Sequence, residues 1–112
     1  MTRAEILDRL YDVIESRQNE RPAGSYVVKL LDGAPGAIAA KIREESGEVI
    51  DAVAEGPDRV AHEVADLLFH TWVLMAHAQV RPESVYAVLE GRFGTGGLAE
   101  KAARAGGGAD AG

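Results

Sequence analysis

Apolar residues recur at intervals of three and four along the first part of the chain, as Ile6, Leu7, Leu10, Val13 and Ile14. This spacing predicts an amphipathic helix running to about Glu20. Thr2 and Glu5 have the spacing of a capping box at its start, and Arg21-Pro22-Ala23-Gly24 ends it. Ser25 is placed to cap a short second helix carrying Tyr26, Val27, Leu30 and Leu31, which Gly33 and Pro35 close. From Pro35 a third helix should carry Ile38, Ile42, Val49, Ile50 and Val53 inward until Gly56-Pro57 stops it, with Asp58 then placed to cap a fourth over residues 59–79. Val64, Leu67, Leu68, Phe69, Trp72, Val73, Leu74 and Met75 cover nearly the whole circumference of that fourth helix. A helix apolar all round is normally buried all round. Arg81-Pro82-Glu83 opens a fifth helix with Val85, Val88 and Leu89, ending near Gly94, and Gly96-Gly97 leads to a short segment over 98–104.

These elements predict an all-α fold, with helical hairpins forming a core like a four-helix bundle. So few helices from one short chain hardly surround the fourth, so the simplest completion is a homodimer sharing its core, against a monomer with the first and fifth helices wrapped around the fourth. One domain is expected over 1–104, with 105–112 a disordered Gly/Ala tail.

Composition narrows the chemistry. The 112 residues suit a single domain, and aromatics at 5% favour helices packed by small aliphatics over a sheet. Acidic residues outnumber basic ones 18 to 12, and the net charge of -6 disfavours nucleic acid and anionic membranes as partners. A polyanionic substrate would then need a local cation. Without cysteine, disulfides and thiolate metal sites are excluded. The first residues lack the apolar core of a signal peptide, and the apolar stretch 64–80 is broken by Asp66, His70 and His77, so a cytoplasmic protein is expected.

The acids carry the most specific pattern. Glu45 and Glu48 are three residues apart on the third helix and Glu44 and Glu48 four apart, while Glu63 and Asp66 repeat the three-residue spacing on the fourth. In an antiparallel hairpin turning at Gly56-Pro57, residues whose numbers sum to about 113 share a level, which sets the two acidic pairs within roughly 3 Å of each other along the axis. Helices packed about 8 to 10 Å apart let such side chains converge. Glutamates so spaced otherwise form a solvated face, but Glu63 and Asp66 begin a helix that is otherwise almost wholly apolar, where an uncompensated acid is costly. Protonation, Lys41 or a divalent cation would relieve the repulsion, and Mg2+ suits an oxygen-only site. His62, His70 and His77 lack the Glu-x-x-His pairing of di-iron bundles, and His70 is expected to hydrogen-bond near the acids or in the core. No glycine-rich phosphate loop, His-Glu-x-x-His motif or nucleophile triad is present.

Glu44-Glu45-Ser46-Gly47-Glu48 followed by Glu63-Val64-Ala65-Asp66 resembles the signature of the all-alpha nucleoside triphosphate pyrophosphohydrolases. Ser25-Tyr26-Val27-Val28-Lys29-Leu30, Lys41, Asp66-Leu67-Leu68-Phe69-His70 and the run from Arg92 to Ala102 resemble one branch, the phosphoribosyl-ATP pyrophosphatase family, over roughly residues 4–104. The resemblance implies Mg2+-dependent hydrolysis of phosphoribosyl-ATP, the second step of histidine biosynthesis, by a cytoplasmic homodimer or larger assembly. By resemblance and spacing together, Glu45, Glu48, Glu63 and Asp66 are the expected metal ligands. Glu44 is an additional ligand or the carboxylate that activates water, and the roles of Glu44 and Glu45 are exchangeable. Lys29, Lys41, Arg92 and Lys101 lie in family-like motifs and are the expected phosphate contacts, while Tyr26 stacks on a base or packs. Gly47 and Gly91 are the departures, each weakening a helix by about 1 kcal/mol relative to Ala. The rival readings are a house-cleaning pyrophosphatase for another nucleotide and a noncatalytic helical dimerisation module.

Overall fold

In the computed structural model, which describes residues 2–94, the chain enters its first helix as the Thr2 and Glu5 spacing predicts. The Glu5 carboxylate accepts the Thr2 N–H at 3.2 Å, and a 3-10 turn, Arg3–Glu5, leads into α1, Ile6–Glu20. Ser25 caps α2, Tyr26–Asp32, its hydroxyl accepting the Val28 N–H at 3.3 Å. α3, Gly36–Ala52, runs through a 3-10 turn, Val53–Glu55, to Gly56; α4, Pro57–Ala78, and α5, Pro82–Gly94, follow. The expected segment 98–104 and the tail 105–112 lie outside the described residues.

The start of α4 differs from expectation. Asp58 makes no side-chain cap; Gly56 holds the cap position at φ 117°, a conformation that side chains rarely adopt. Pro57 opens the helix instead of merely stopping α3, because the N–H that proline lacks would have had no helical partner there. Asp58 sits in the first turn, where a negative charge meets the positive end of the helix dipole.

The chain divides into two units, Met1–Arg81 and Pro82–Gly112, and α5 belongs to the second. Within the first, α3 and α4 form the most extensively packed pair, α1 lies against α4, and α2 touches α1, α3 and α4. Their core comprises Tyr11 and Ile14 of α1, Val27 and Leu30 of α2, Ile38 and Ala52 of α3, and Trp72, Val73 and Ala76 of α4. Polar ties brace it, among them the Trp72 indole N–H, which donates to the Leu7 carbonyl at 3.0 Å, and the Gln18 amide, which donates to the Ala76 carbonyl at 3.3 Å.

The buried positions of α3 are Ile38, Glu45 and Ala52, seven residues apart and hence nearly on one line after two turns. An acid therefore occupies the middle of the core stripe. Ile50 and Val53, expected inward, are 72% and 70% exposed: Ile50, five residues beyond Glu45, is about 140° around the helix from it, and Val53 falls in the 3-10 turn after α3. On α1 the inward face is likewise turned, taking in Tyr11 and leaving Ile6 and Val13 exposed.

Among the described residues, α4 is only partly covered. Glu63, His70, Trp72, Val73 and Ala76 are buried, whereas Leu67, Leu68, Phe69, Leu74 and Met75 are half-buried and Val64 is exposed. Ile6, Leu7, Leu10 and Val13 of α1 face Ala65 and Leu68 of α4 across an apolar groove of about 330 Å³.

Candidate active site

Glu45 and Glu63 are only 5% and 6% exposed, each carried inward by its place on the α3–α4 hairpin. With half-buried Glu48 they converge so that one oxygen from each lies within 4.8 Å of the other two. Glu45 Oε2 and Glu63 Oε2 are buried and accept no hydrogen bond. A buried ionised oxygen without a donor is costly, so the arrangement calls for a proton or a cation.

The protein supplies partial relief from outside the trio. Lys41 Nζ lies 3.6 Å from Glu45 Oε1, and the Arg59 guanidinium pairs with Glu63 Oε1. Both pairs have the four-residue spacing that brings helical side chains together. Lys41 also reaches Glu44 at 3.4 Å, and Arg59 reaches Glu55 at 3.8 Å. Burial pulls the Lys41 pKa down, but the charge and hydrogen bond of Glu44, with smaller help from Tyr26 and Glu45, outweigh it and leave the ammonium above its ordinary value.

Inside the trio the Glu48 pKa is raised, first by hydrogen bonding with Glu45, then by desolvation and the Glu45 charge; hydrogen bonding with Glu63 acts the other way.

The donor set fits Mg2+. All three groups offer hard carboxylate oxygens, and their spread of at most 4.8 Å compares with roughly 4 Å across a Mg2+ shell with bonds of about 2.0–2.1 Å. Small side-chain rotations close that difference.

Of the four expected ligands, Asp66 is the one outside this trio. Three residues beyond Glu63 is about 60° off its direction around α4, and the half-buried Asp66 side chain lines a shallow surface with Asp58, Ala61, His62 and Ala65. Glu44 lies on the exposed side of α3, held by Lys41. Among the expected cations, Lys41 flanks the trio, Lys29 is exposed in the last turn of α2, and Arg92 is on α5 in the second unit. Lys101 lies outside the described residues.

His70 behaves as a hydrogen-bonding core residue. A carbonyl only accepts, so Nδ1 donates to Asp66 O at 2.8 Å, and Nε2 accepts the Tyr26 hydroxyl at 2.8 Å. Tyr26 also stacks on Phe69 with ring centres 6.1 Å apart, so its ring packs. Sequence reasoning missed Arg59, although its position four residues before Glu63 repeats that of Lys41 before Glu45.

Known proteins resemble this chain along most of its length. The profile of the family described as phosphoribosyl-ATP pyrophosphohydrolase matches residues 7–93. The chain is 48% identical over 101 residues to the phosphoribosyl-ATP pyrophosphatase of Rhodospirillum rubrum, covering 89% of this chain and 86% of that protein. It is 50% identical over 101 residues to that of Caulobacter sp. (strain K31), covering 89% and 94%. Identity to the Geobacter sulfurreducens protein of the same name is 44% over 103 residues, covering 91% and 95%. Matched along most of its length by both the profile and these relatives, the chain belongs to the phosphoribosyl-ATP pyrophosphohydrolase family.

Proposed function

We propose that this protein hydrolyses the α–β phosphoanhydride of phosphoribosyl-ATP, releasing phosphoribosyl-AMP and pyrophosphate, with Mg2+ held by Glu45, Glu48, Glu63 and Asp66. The observation that carries this reading is the pair of buried oxygens without donors, Glu45 Oε2 and Glu63 Oε2, gathered with Glu48 in a chain of this family. What Mg2+ supplies when bound is neutralisation and alignment of the phosphates for in-line attack by water. Glu45, buried and held at one oxygen by Lys41, suits ligation. Exposed Glu44 beside it suits orienting the water and accepting its proton at a carboxylate oxygen. The water oxygen ends on one phosphorus, the bridging oxygen leaves with the other, and Lys29, Lys41, Arg92 and Lys101 hold phosphate oxygens. Asp66 would join these ligands after a change of side-chain rotamer.

The reaction is the second step of histidine biosynthesis, carried out in the cytoplasm. The working form is a homodimer, in which a second copy covers the apolar groove between α1 and α4; the partly exposed apolar surface of α4 supports this.

Purified protein should release pyrophosphate from phosphoribosyl-ATP with MgCl2 and not with EDTA, and should do so in preference to a panel of canonical and damaged nucleoside triphosphates. Preference for another nucleotide would make it a house-cleaning enzyme. No Mg2+ binding by calorimetry beyond that of Glu45→Ala would leave only the noncatalytic module. Complementation of a histidine auxotroph lacking this step tests the pathway assignment.

A further inference from the structure

We propose that Arg59 is a phosphate-binding cation of this site, the counterpart on α4 of Lys41 on α3, stored on Glu63 until a polyphosphate arrives. The inference rests on the pyrophosphohydrolase reading above and adds a residue to it.

The two cations stand in the same local relation to the cluster. Each lies four residues before a buried glutamate and holds that glutamate's outer oxygen, Oε1, while the inner oxygen, Oε2, stays unpartnered inside. Because α3 and α4 are antiparallel, one turn back along each helix leads in opposite directions. Lys41 and Arg59 therefore bracket the acids, each roughly 6 Å along the axis from its own glutamate. A single phosphate at the metal would touch one of them. A chain of linked phosphates reaches both.

Charge supports the exchange. The four proposed ligands, Glu45, Glu48, Glu63 and Asp66, carry -4 when ionised, and Lys41 with Arg59 carries +2. A divalent ion cancels the remaining -2 and competes for the Glu63 oxygens, which loosens the hold of Glu63 on Arg59. The Arg59 side chain is 49% exposed, and its planar fork of five N–H donors is only partly engaged by Glu63 and Glu55, so it can pair with phosphate oxygens two at a time. The other partner, Glu55, is itself exposed on the turn after α3 and offers only a weak competing pair.

The test uses Arg59→Gln and Arg59→Lys in the full chain, with inorganic pyrophosphate plus Mg2+ as the calorimetric probe and Mg2+ alone as the control. Arg59→Gln should weaken pyrophosphate binding about tenfold or more and raise KM for phosphoribosyl-ATP by a similar factor, with a smaller change in kcat. Affinity for Mg2+ without phosphate should be unchanged or tighter, since a competing positive charge is gone. Arg59→Lys, which keeps the charge and loses the fork, should fall between. Equal losses of Mg2+ and pyrophosphate affinity would overturn the proposal, reducing Arg59 to a support for Glu63; unchanged pyrophosphate affinity would overturn it as well. If Arg59→Gln fails to fold, wild-type pyrophosphate affinity in Arg59→Lys has the same force. A wild type that binds no Mg2+ and releases no pyrophosphate would instead sink the pyrophosphohydrolase reading itself.

Discussion

A buried acceptor left without a donor costs on the order of 1–3 kcal/mol, and Glu45 and Glu63 each carry one. Function and stability should therefore oppose each other at this trio. Glu48→Gln is expected to abolish Mg2+-dependent pyrophosphate release while the metal-free variant melts at or above the wild-type temperature in EDTA, because one charge among three crowded acids is removed. A marked loss of stability would contradict the idea of a strained cluster. The pH dependence has a definite sign. Since the Glu48 pKa is raised on folding, the native state keeps a proton that the unfolded state releases, so stability falls as pH rises from the ordinary carboxylate range through the raised value. In EDTA, wild type should lose melting temperature relative to Glu48→Gln across that window, and saturating Mg2+ should suppress the difference. The spacing of Glu45, Glu48 and Glu63 was readable because helical geometry fixes which residues share a face. Asp66 and Arg59 were not, since their placement depends on side-chain direction and on which oxygen of Glu63 is already taken.

Two glycines, Gly33 at the C-cap of α2 and Gly47 inside α3, separate packing from propensity. A Cβ added at Gly33 would stand 2.8 Å from the Cβ of Ala37, a short side chain with no freedom to move aside. Gly33→Ala should destabilise by about 1–3 kcal/mol through displacement of α2 against α3, measured by denaturant unfolding. Gly47 faces open space, so Gly47→Ala should stabilise α3 by about 1 kcal/mol. Most element ends were legible from their punctuation, such as Ser25 before α2 and Pro82 at the start of α5. The turn into α4 was misread because Asp58 is a good cap in isolation, whereas the dihedral angles at Gly56 and Pro57 had already settled the start of the helix. Ile50 and Val53 were read inward from hydrophobicity alone, but the buried stripe of α3 follows Ile38, Glu45 and Ala52, and an acid in the middle of that stripe hides it from any apolar pattern.

For the whole molecule, the all-α class followed from the periodicities, while the proposed covering of α4 by a second copy rests on apolar surface that the described residues leave open. Light scattering should give the mass of two chains, and Leu10→Glu or Leu68→Glu, each placing a charge in the α1–α4 groove, should shift it toward one. A mass that stays at one chain for wild type would refute the dimer. The tie between Trp72 and Leu7 adds a practical consequence. Trp72 is the chain's sole tryptophan, it is buried, and its indole N–H is bonded to a carbonyl 65 residues away. Its ultraviolet emission should be blue-shifted in the folded protein and move to the red when α1 leaves α4. The protein thus contains its own label-free fluorophore, with which the effect of metal, pyrophosphate or any of these substitutions on the docking of its first helix can be followed in a cuvette.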